Sequence, residues 1–221
     1  MKIYFTIILC LVACCNYVNS QINTTESVPH SIGYRFKDGI YLSYNDFLQN
    51  SPVRFESLIS PRYGDTDFFD LLEKQKSISY YDDYGILTET DIKNVWGYSK
   101  NGKPYIYWAE KFNLIPYIGS VSHFVAIIRV YYDYYHRPFN DPFYYSGSAD
   151  IRYKDEVVQF LIDFEIGKVL DFNIENTKFI LKREPELFEE FNNLRKRKQS
   201  RLLFFYIKRY NEKNPLYLPK N

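Results

Sequence analysis

Asn101-Gly102 lies between two aromatic runs, Val95-Trp96-Gly97-Tyr98 and Tyr105-Ile106-Tyr107-Trp108. Both turn residues tolerate the positive φ of a type I′ turn, so the pattern specifies a tight antiparallel hairpin. A second hairpin is predicted over Val157 to Phe172, with Glu165-Ile166-Gly167-Lys168 as its turn. Strands are also expected at Leu114 to Ile118 and at His123 to Tyr132. Together these predict an antiparallel, aromatic-rich sheet of about five or six strands.

The flanks read as helical. Asp38-Gly39-Ile40-Tyr41-Leu42 is a turn feeding a short strand, and Ser43 is placed to cap a short helix running to Gln49, with Asp46 three residues on. A second short helix fits Phe68 to Lys76. In the last third the period changes. Ile174 to Lys182 is helical, Pro185 fits the first turn of a new helix, and Leu187, Phe191 and Leu194 mark one face. No Gly or Pro then interrupts the chain before Pro215, which assigns Leu202 to Ile207 to helix and leaves Arg195-Lys196-Arg197-Lys198 in an exposed middle segment. Leu216 to Pro219 reads as a docked extended tail. The expected fold is a single α+β domain over residues 33–221, with short helices and a long basic C-terminal helix packed on the sheet.

The three cysteines, Cys10, Cys14 and Cys15, all lie in an apolar run behind Lys2. That run is shorter than the ~20 apolar residues a bilayer span needs, and it reads as an export signal over residues 1–20. Two processing sites fit. Cleavage between Ser20 and Gln21 frees a soluble chain, whereas Leu11-Val12-Ala13-Cys14 resembles a bacterial lipobox and would leave Cys14 lipidated. Either way no disulfide can staple the mature fold, and residues 21–32, being polar, read as a flexible leader. Stability must then come from burial, and the apolar stock is unusual: 23 Tyr, 18 Phe and 2 Trp. Tyr brings a large buried area and a hydroxyl that needs a partner.

Charge is segregated although the formal net charge is only +1. Asp38 to Asp91 carries 11 acidic and 4 basic residues; Arg195 to Lys213 carries 8 basic residues against Glu212. These regions either attract each other within one fold or leave a basic surface for an anionic partner.

Motifs for chemistry are sparse. Gly119-Ser120-Val121-Ser122-His123 juxtaposes serine and histidine, but on a strand Ser122 and His123 point to opposite faces. The histidines show no paired ligand spacing, and Asp65, Asp67 and Asp70 lack the glycine and distal glutamate of an EF-hand loop. No glycine-rich phosphate loop is present, so no cofactor is expected. Tyr131 to Tyr145 packs eight aromatics into 15 residues. Within it Tyr131, Tyr134, Tyr135 and Phe139, with Arg137 beside them, could form a platform for a sugar ring or peptide, or could cap the core. Trp96 and Trp108 form a second candidate platform.

Four stretches carry a family resemblance: Asp38-Gly39-Ile40-Tyr41-Leu42 with Asp46-Phe47; Val95-Trp96-Gly97-Tyr98; Leu161-Ile162-Asp163-Phe164-Glu165-Ile166-Gly167-Lys168; and Tyr206-Ile207-Lys208-Arg209-Tyr210-Asn211. In that order the chain resembles a family of exported Bacteroidota proteins with no assigned activity. The resemblance implies export and one domain of strands followed by helices, and it carries over no catalytic residues. The expected role is a non-enzymatic protein of the envelope or secreted fraction. A glycan- or peptide-binding module, a lipid-anchored envelope protein and an enzyme with a dispersed active site stand as alternatives. Glycan, peptide or an envelope protein are the partners expected; nucleic acid is not, and a membrane only through a lipidated Cys14.

Overall fold

The computed structural model describes residues 27–30, 33–60, 68–132 and 152–220. The first strands and helices are β1 (Ser27–Pro29), β2 (Gly39–Tyr41), α1 (Tyr44–Leu48), β3 (Leu58–Ser60), α2 (Phe68–Lys74), β4 (Ser77–Tyr81) and β5 (Leu87–Asp91). Next come β6 (Gly97–Lys100), β7 (Lys103–Trp108), β8 (Lys111–Leu114), β9 (Val121–Tyr132), β10 (Arg152–Asp163) and β11 (Lys168–Asp171). The chain closes with α3 (Ile174–Leu181), α4 (Pro185–Asn192), α5 (Lys196–Lys213) and β12 (Tyr217–Pro219). This is the expected α+β class with antiparallel strands and a long C-terminal helix. The strands divide among four sheets, ordered β1-β12, β2-β6-β7-β8, β3-β4-β5 and β11-β10-β9.

The Asn101-Gly102 hairpin forms as its sequence requires, with φ of +55° and +75° at the two turn residues and β6 paired to β7. Asp38 fixes the turn against the start of β2. Its carboxylate accepts from the Asn101 and Gly102 amides, each at 2.9 Å. Ser43 caps α1 through a reciprocal capping box with Asp46, which satisfies two amide donors that the first turn would otherwise leave open.

The long strands β9 and β10, twelve residues each, form a ribbon whose two faces build two cores. Phe124, Ala126, Phe160 and Ile162 point to one face and join an aromatic cluster centred on Phe47. The Phe47 ring stacks on Trp96 at 4.1 Å and Phe36 at 4.7 Å, and meets Tyr41 edge-on at 5.4 Å. Val121 and Leu161 point to the other face and hold the helical layer, Ile180, Leu187, Phe191, Leu203 and Tyr206 among its residues. A third core gathers Phe55, Phe68, Leu72, Ile78 and Tyr98 between α2 and the β3-β4-β5 sheet.

Two polar locks join helices to ribbon. Asp163 is fully buried at the end of β10, and its two oxygens accept from the two guanidinium nitrogens of Arg183 at 3.0 and 2.7 Å. The Glu165 amide supplies a third donor at 3.1 Å. On α5, the Asn211 amide pairs with the Val121 backbone like an added strand residue. It accepts from Val121 N–H at 2.8 Å and donates to Val121 C=O at 2.7 Å. Gly119 passes so close that a Cβ there would lie 2.5 Å from Asn211 Nδ2.

Three differences from the sequence reading have physical causes. Ser27–Pro29, inside the stretch read as a flexible leader, pairs with Tyr217–Pro219, so order begins upstream of Gly33. β10 begins at Arg152 rather than near Val157, because cross-strand pairing with β9 carries it through the polar residues Lys154 to Glu156. The C-terminal run is two helices, not one. Buried Gln199 donates to the Phe191 and Asn192 carbonyls at 2.9 and 3.3 Å, satisfying the open end of α4. The break lets α5 fold back so that Phe191 and Tyr206 meet at 4.9 Å, where an unbroken helix would hold them ~22 Å apart.

Removing one partner of a buried ion pair leaves the other uncompensated, at a cost of about 3–5 kcal/mol. Arg183→Ala, which leaves the fully buried Asp163 carboxylate without its guanidinium, is expected to lower the unfolding free energy by about that range in urea denaturation. Gly119→Ala is expected to destabilise by about 1–3 kcal/mol, since the new methyl displaces Asn211 and leaves the buried Val121 groups unpaired. An unchanged midpoint in either variant would show that the lock contributes little.

Candidate functional site

A cleft of about 790 Å³ opens where the N-terminal segment, the chain after β8 and the end of α5 converge. Its floor is apolar, supplied by Pro104, Leu114, Ile115, Ile118 and Leu216. One wall carries His30 and Tyr34; the other carries Lys208 and Glu212 from one face of α5. Lys103 and Tyr117 stand at the rim, both exposed.

Each wall is held by the backbone pairing just described. The β1-β12 pairing continues into a bond from His30 N–H to Leu216 C=O at 2.6 Å, which sets the imidazole over the cleft edge. The Tyr34 hydroxyl donates to Pro219 C=O and accepts from Asn50 Nδ2, both at 3.0 Å. Asn50 is buried with φ of +48°, and its Oδ1 accepts from the Lys37 amide and the Tyr41 hydroxyl, both at 2.9 Å. A buried polar network therefore fixes the Tyr34 wall, and burial raises the Tyr34 and Tyr41 phenols above their ordinary values.

Asn211 also lines the cleft, but its amide is committed to Val121. Lys208 lies 3.9 Å from Glu212 one turn on, a distance that leaves its ammonium open to a ligand. Burial pushes the His30 pKa down, so its imidazole is neutral at neutral pH. The cleft thus offers an apolar floor, two ammonium groups, one carboxylate and aromatic edges, groups that orient a ligand through an apolar face and hydrogen-bond acceptors.

The residues singled out in the sequence fall at separate places. Tyr131 is 64% exposed and faces Tyr153, itself 59% exposed, across the ribbon at 6.4 Å. The Arg129 guanidinium lies 4.3 Å over the Tyr153 ring and bonds Asp155 at 3.2 Å. This small aromatic platform lies beyond the part of the ribbon that the helices cover. Tyr134, Tyr135, Arg137 and Phe139 lie outside the described residues, as do Cys14, Ser20 and Gln21. Trp96 is half-buried in the Phe47 stack, whereas Trp108 is at the β7-β8 turn with its edge on Phe160, so the two rings form no shared surface.

Ser122 and His123 do face opposite ways. Ser122 is buried on the aromatic side and bonds Gly119, while His123 lies on the helical side of the ribbon, 3.0 Å from Gln159 and between Phe172 and Phe204. Among the described residues no group of three or more His, Cys, Asp or Glu side chains is placed to hold a metal ion, and no helix is long and apolar enough to cross a membrane.

The cleft escaped the sequence reading because its residues are spread from His30 to Leu216, and His30 fell in the supposed leader. The docked tail at Leu216 to Pro219 was the one local hint. Comparison with protein-family models, curated protein sequences and solved structures finds no match.

The His30 shift gives a pH dependence with a definite sign. Its folded pKa lies below the 6.5 of the unfolded chain, so the unfolded state takes up the proton first as pH falls. Stability is full above that value and declines as pH drops through it. The melting temperature of His30→Gln is expected to fall less than that of the parent between about pH 7 and pH 5. Parallel curves for the two proteins would exclude His30 as the source.

Proposed function

We propose that this chain is an exported, non-enzymatic binding protein of the bacterial envelope or secreted fraction, whose cleft takes a glycan or peptide segment with an apolar face. Export is supported by the Lys2-led apolar run ending at Cys15, and the resemblance to exported Bacteroidota proteins points the same way. The binding role rests on one observation: a cleft of about 790 Å³ with an apolar floor is bordered by Lys103, Lys208 and Tyr117, all exposed and within reach of a ligand. An orienting rim around an apolar floor is the arrangement that ligand sites share.

Screening the protein on glycan and peptide arrays, with Lys103→Ala and Tyr117→Ala beside it, tests the reading. Each substitution is expected to weaken the captured ligand by at least about fivefold, the scale of a contributing interface residue. A parent that captures nothing, or variants that match it on every ligand, would sink the proposal.

A second reading places the same ligand class on the ribbon platform, because Tyr131 and Tyr153 are each more than half exposed with Arg129 between them. Tyr131→Ala with Tyr153→Ala would then abolish capture while the cleft variants left it intact.

A further inference from the structure

The outer face of α5 combines cations with half-exposed aromatic rings, Phe204 resting one edge on His123 at 5.7 Å and on Tyr117 at 6.4 Å. Arg197, Arg201, Phe204, Phe205 and Lys208 recur at spacings of four, three, one and three and share one side of the helix. All five are exposed, Phe204 at 47% and Phe205 at 50%, while Gln199, Leu203, Tyr206 and Tyr210 take the buried side. Lys196 and Lys198 border the same end, and Arg195 precedes it.

The two halves of the helix treat their charges differently. In the second half Arg209 pairs with Glu190 at 2.6 Å and Lys213 with Glu186 at 2.9 Å. Among the described residues, no carboxylate pairs with Arg195, Lys196, Arg197, Lys198 or Arg201. Three of these cations occupy the first turn, which holds no acid, although the macrodipole disfavours positive charge there. Among the described residues no carboxylate offsets that repulsion.

We infer that this face of α5 is a docking surface for an anionic phospholipid membrane. Charge complementarity selects an anionic partner. The two phenylalanines select a lipid surface, since each can enter the headgroup boundary while the flanking arginines meet phosphates. The face is a convex helix side rather than a groove, which suits a planar surface better than a single polysaccharide strand. The face shares only Lys208 with the cleft and stands on Arg197, Arg201, Phe204 and Phe205 without it, and it provides a membrane contact that needs no acyl chain on Cys14.

Co-sedimentation of the full chain with phosphatidylcholine vesicles, with and without phosphatidylglycerol, tests it. Tighter partition onto the phosphatidylglycerol vesicles is expected, and it should be lost in about 1 M salt, where the Debye length shrinks to about 3 Å. Any adsorption through the apolar N-terminal run is common to both vesicle types and cancels in the comparison. Arg197→Gln with Arg201→Gln is expected to lower the partition roughly 25-fold, about fivefold per arginine. Because neither side chain has an acidic partner among the described residues, the melting temperature of that variant should stay at the parent value. Phe204→Ser with Phe205→Ser should weaken binding while preserving the preference for phosphatidylglycerol. Equal partition onto both vesicle types, or a double arginine variant that partitions like the parent, overturns the proposal. So does retention on heparin without vesicle binding, which would assign the face to a soluble polyanion.

Discussion

Three consecutive residues at the end of β10 tie the molecule together: Ile162 and Phe164 enter the aromatic core on one side of the ribbon, and Asp163 enters the helical side. A fully buried carboxylate is costly unless its charge is met and its lone pairs are filled. Here the Arg183 fork and the Glu165 amide supply three donors, so the β10-β11 turn and the chain leaving α3 must both come to this point. Arg183 also reaches Glu165 at 3.0 Å, and the Tyr210 hydroxyl lies 3.4 Å from that same carboxylate. The end of the ribbon, α3 and α5 therefore share one polar knot. Asn211, the next residue of α5 after Tyr210, repeats the device, and together the two contacts fix how the helical layer sits on Val121 and Leu161.

With no thiol in the described residues, the remaining cohesion comes from rings. Tyrosine suits this role only where its hydroxyl finds a partner inside the fold. Several buried and half-buried tyrosines meet that condition with particular neighbours. Tyr41 donates to Asn50 Oδ1, Tyr44 to Phe164 C=O, and Tyr206 to Glu190. Each bond joins the segment that carries the ring to another part of the fold, so the aromatic stock acts as both filler and fastener. Burial raises the Tyr44 phenol to about 12, which keeps it a neutral donor throughout the physiological range. Phe47, the one buried residue of α1, lets a five-residue helix nucleate the stack, because the Ser43 capping box holds it in register.

What the sequence made legible was local. The Asn101-Gly102 turn, the Ser43 cap and Pro185 at the start of α4 are each specified within a few residues, and each forms as read. The β3-β4-β5 sheet was not legible: its polar strand Leu87-Thr88-Glu89-Thr90-Asp91 shows its alternation only against Ser77 to Tyr81. The break between α4 and α5 carries no Gly or Pro; it depends on Gln199 reaching back to α4 and on Phe191 finding Tyr206. The cleft is less legible still. It exists because β1 and β12, from opposite ends of the chain, pair beside Pro104 and Ile115.

The charge segregation takes its meaning from the same geometry. Mutual attraction between the acidic stretch Asp38 to Asp91 and the basic stretch Arg195 to Lys213 would have shown as ion pairs between them. The described α5 pairs run instead to Glu184, Glu186, Glu190 and Glu212, all within the helical layer. Carboxylates of the acidic stretch are used away from α5, Asp38 on the β6-β7 turn and Glu73 of α2 on the Phe112 amide of β8. Among the described residues the basic excess on α5 is therefore not neutralised by the acidic stretch, and opposite charge is kept on separate elements. Such a distribution exerts a torque in an external field and turns one face toward an anionic surface before contact. With +1 overall, little net attraction acts at long range, so orientation and the local cation density of α5 carry the effect within about a Debye length, ~8–10 Å at ordinary ionic strength.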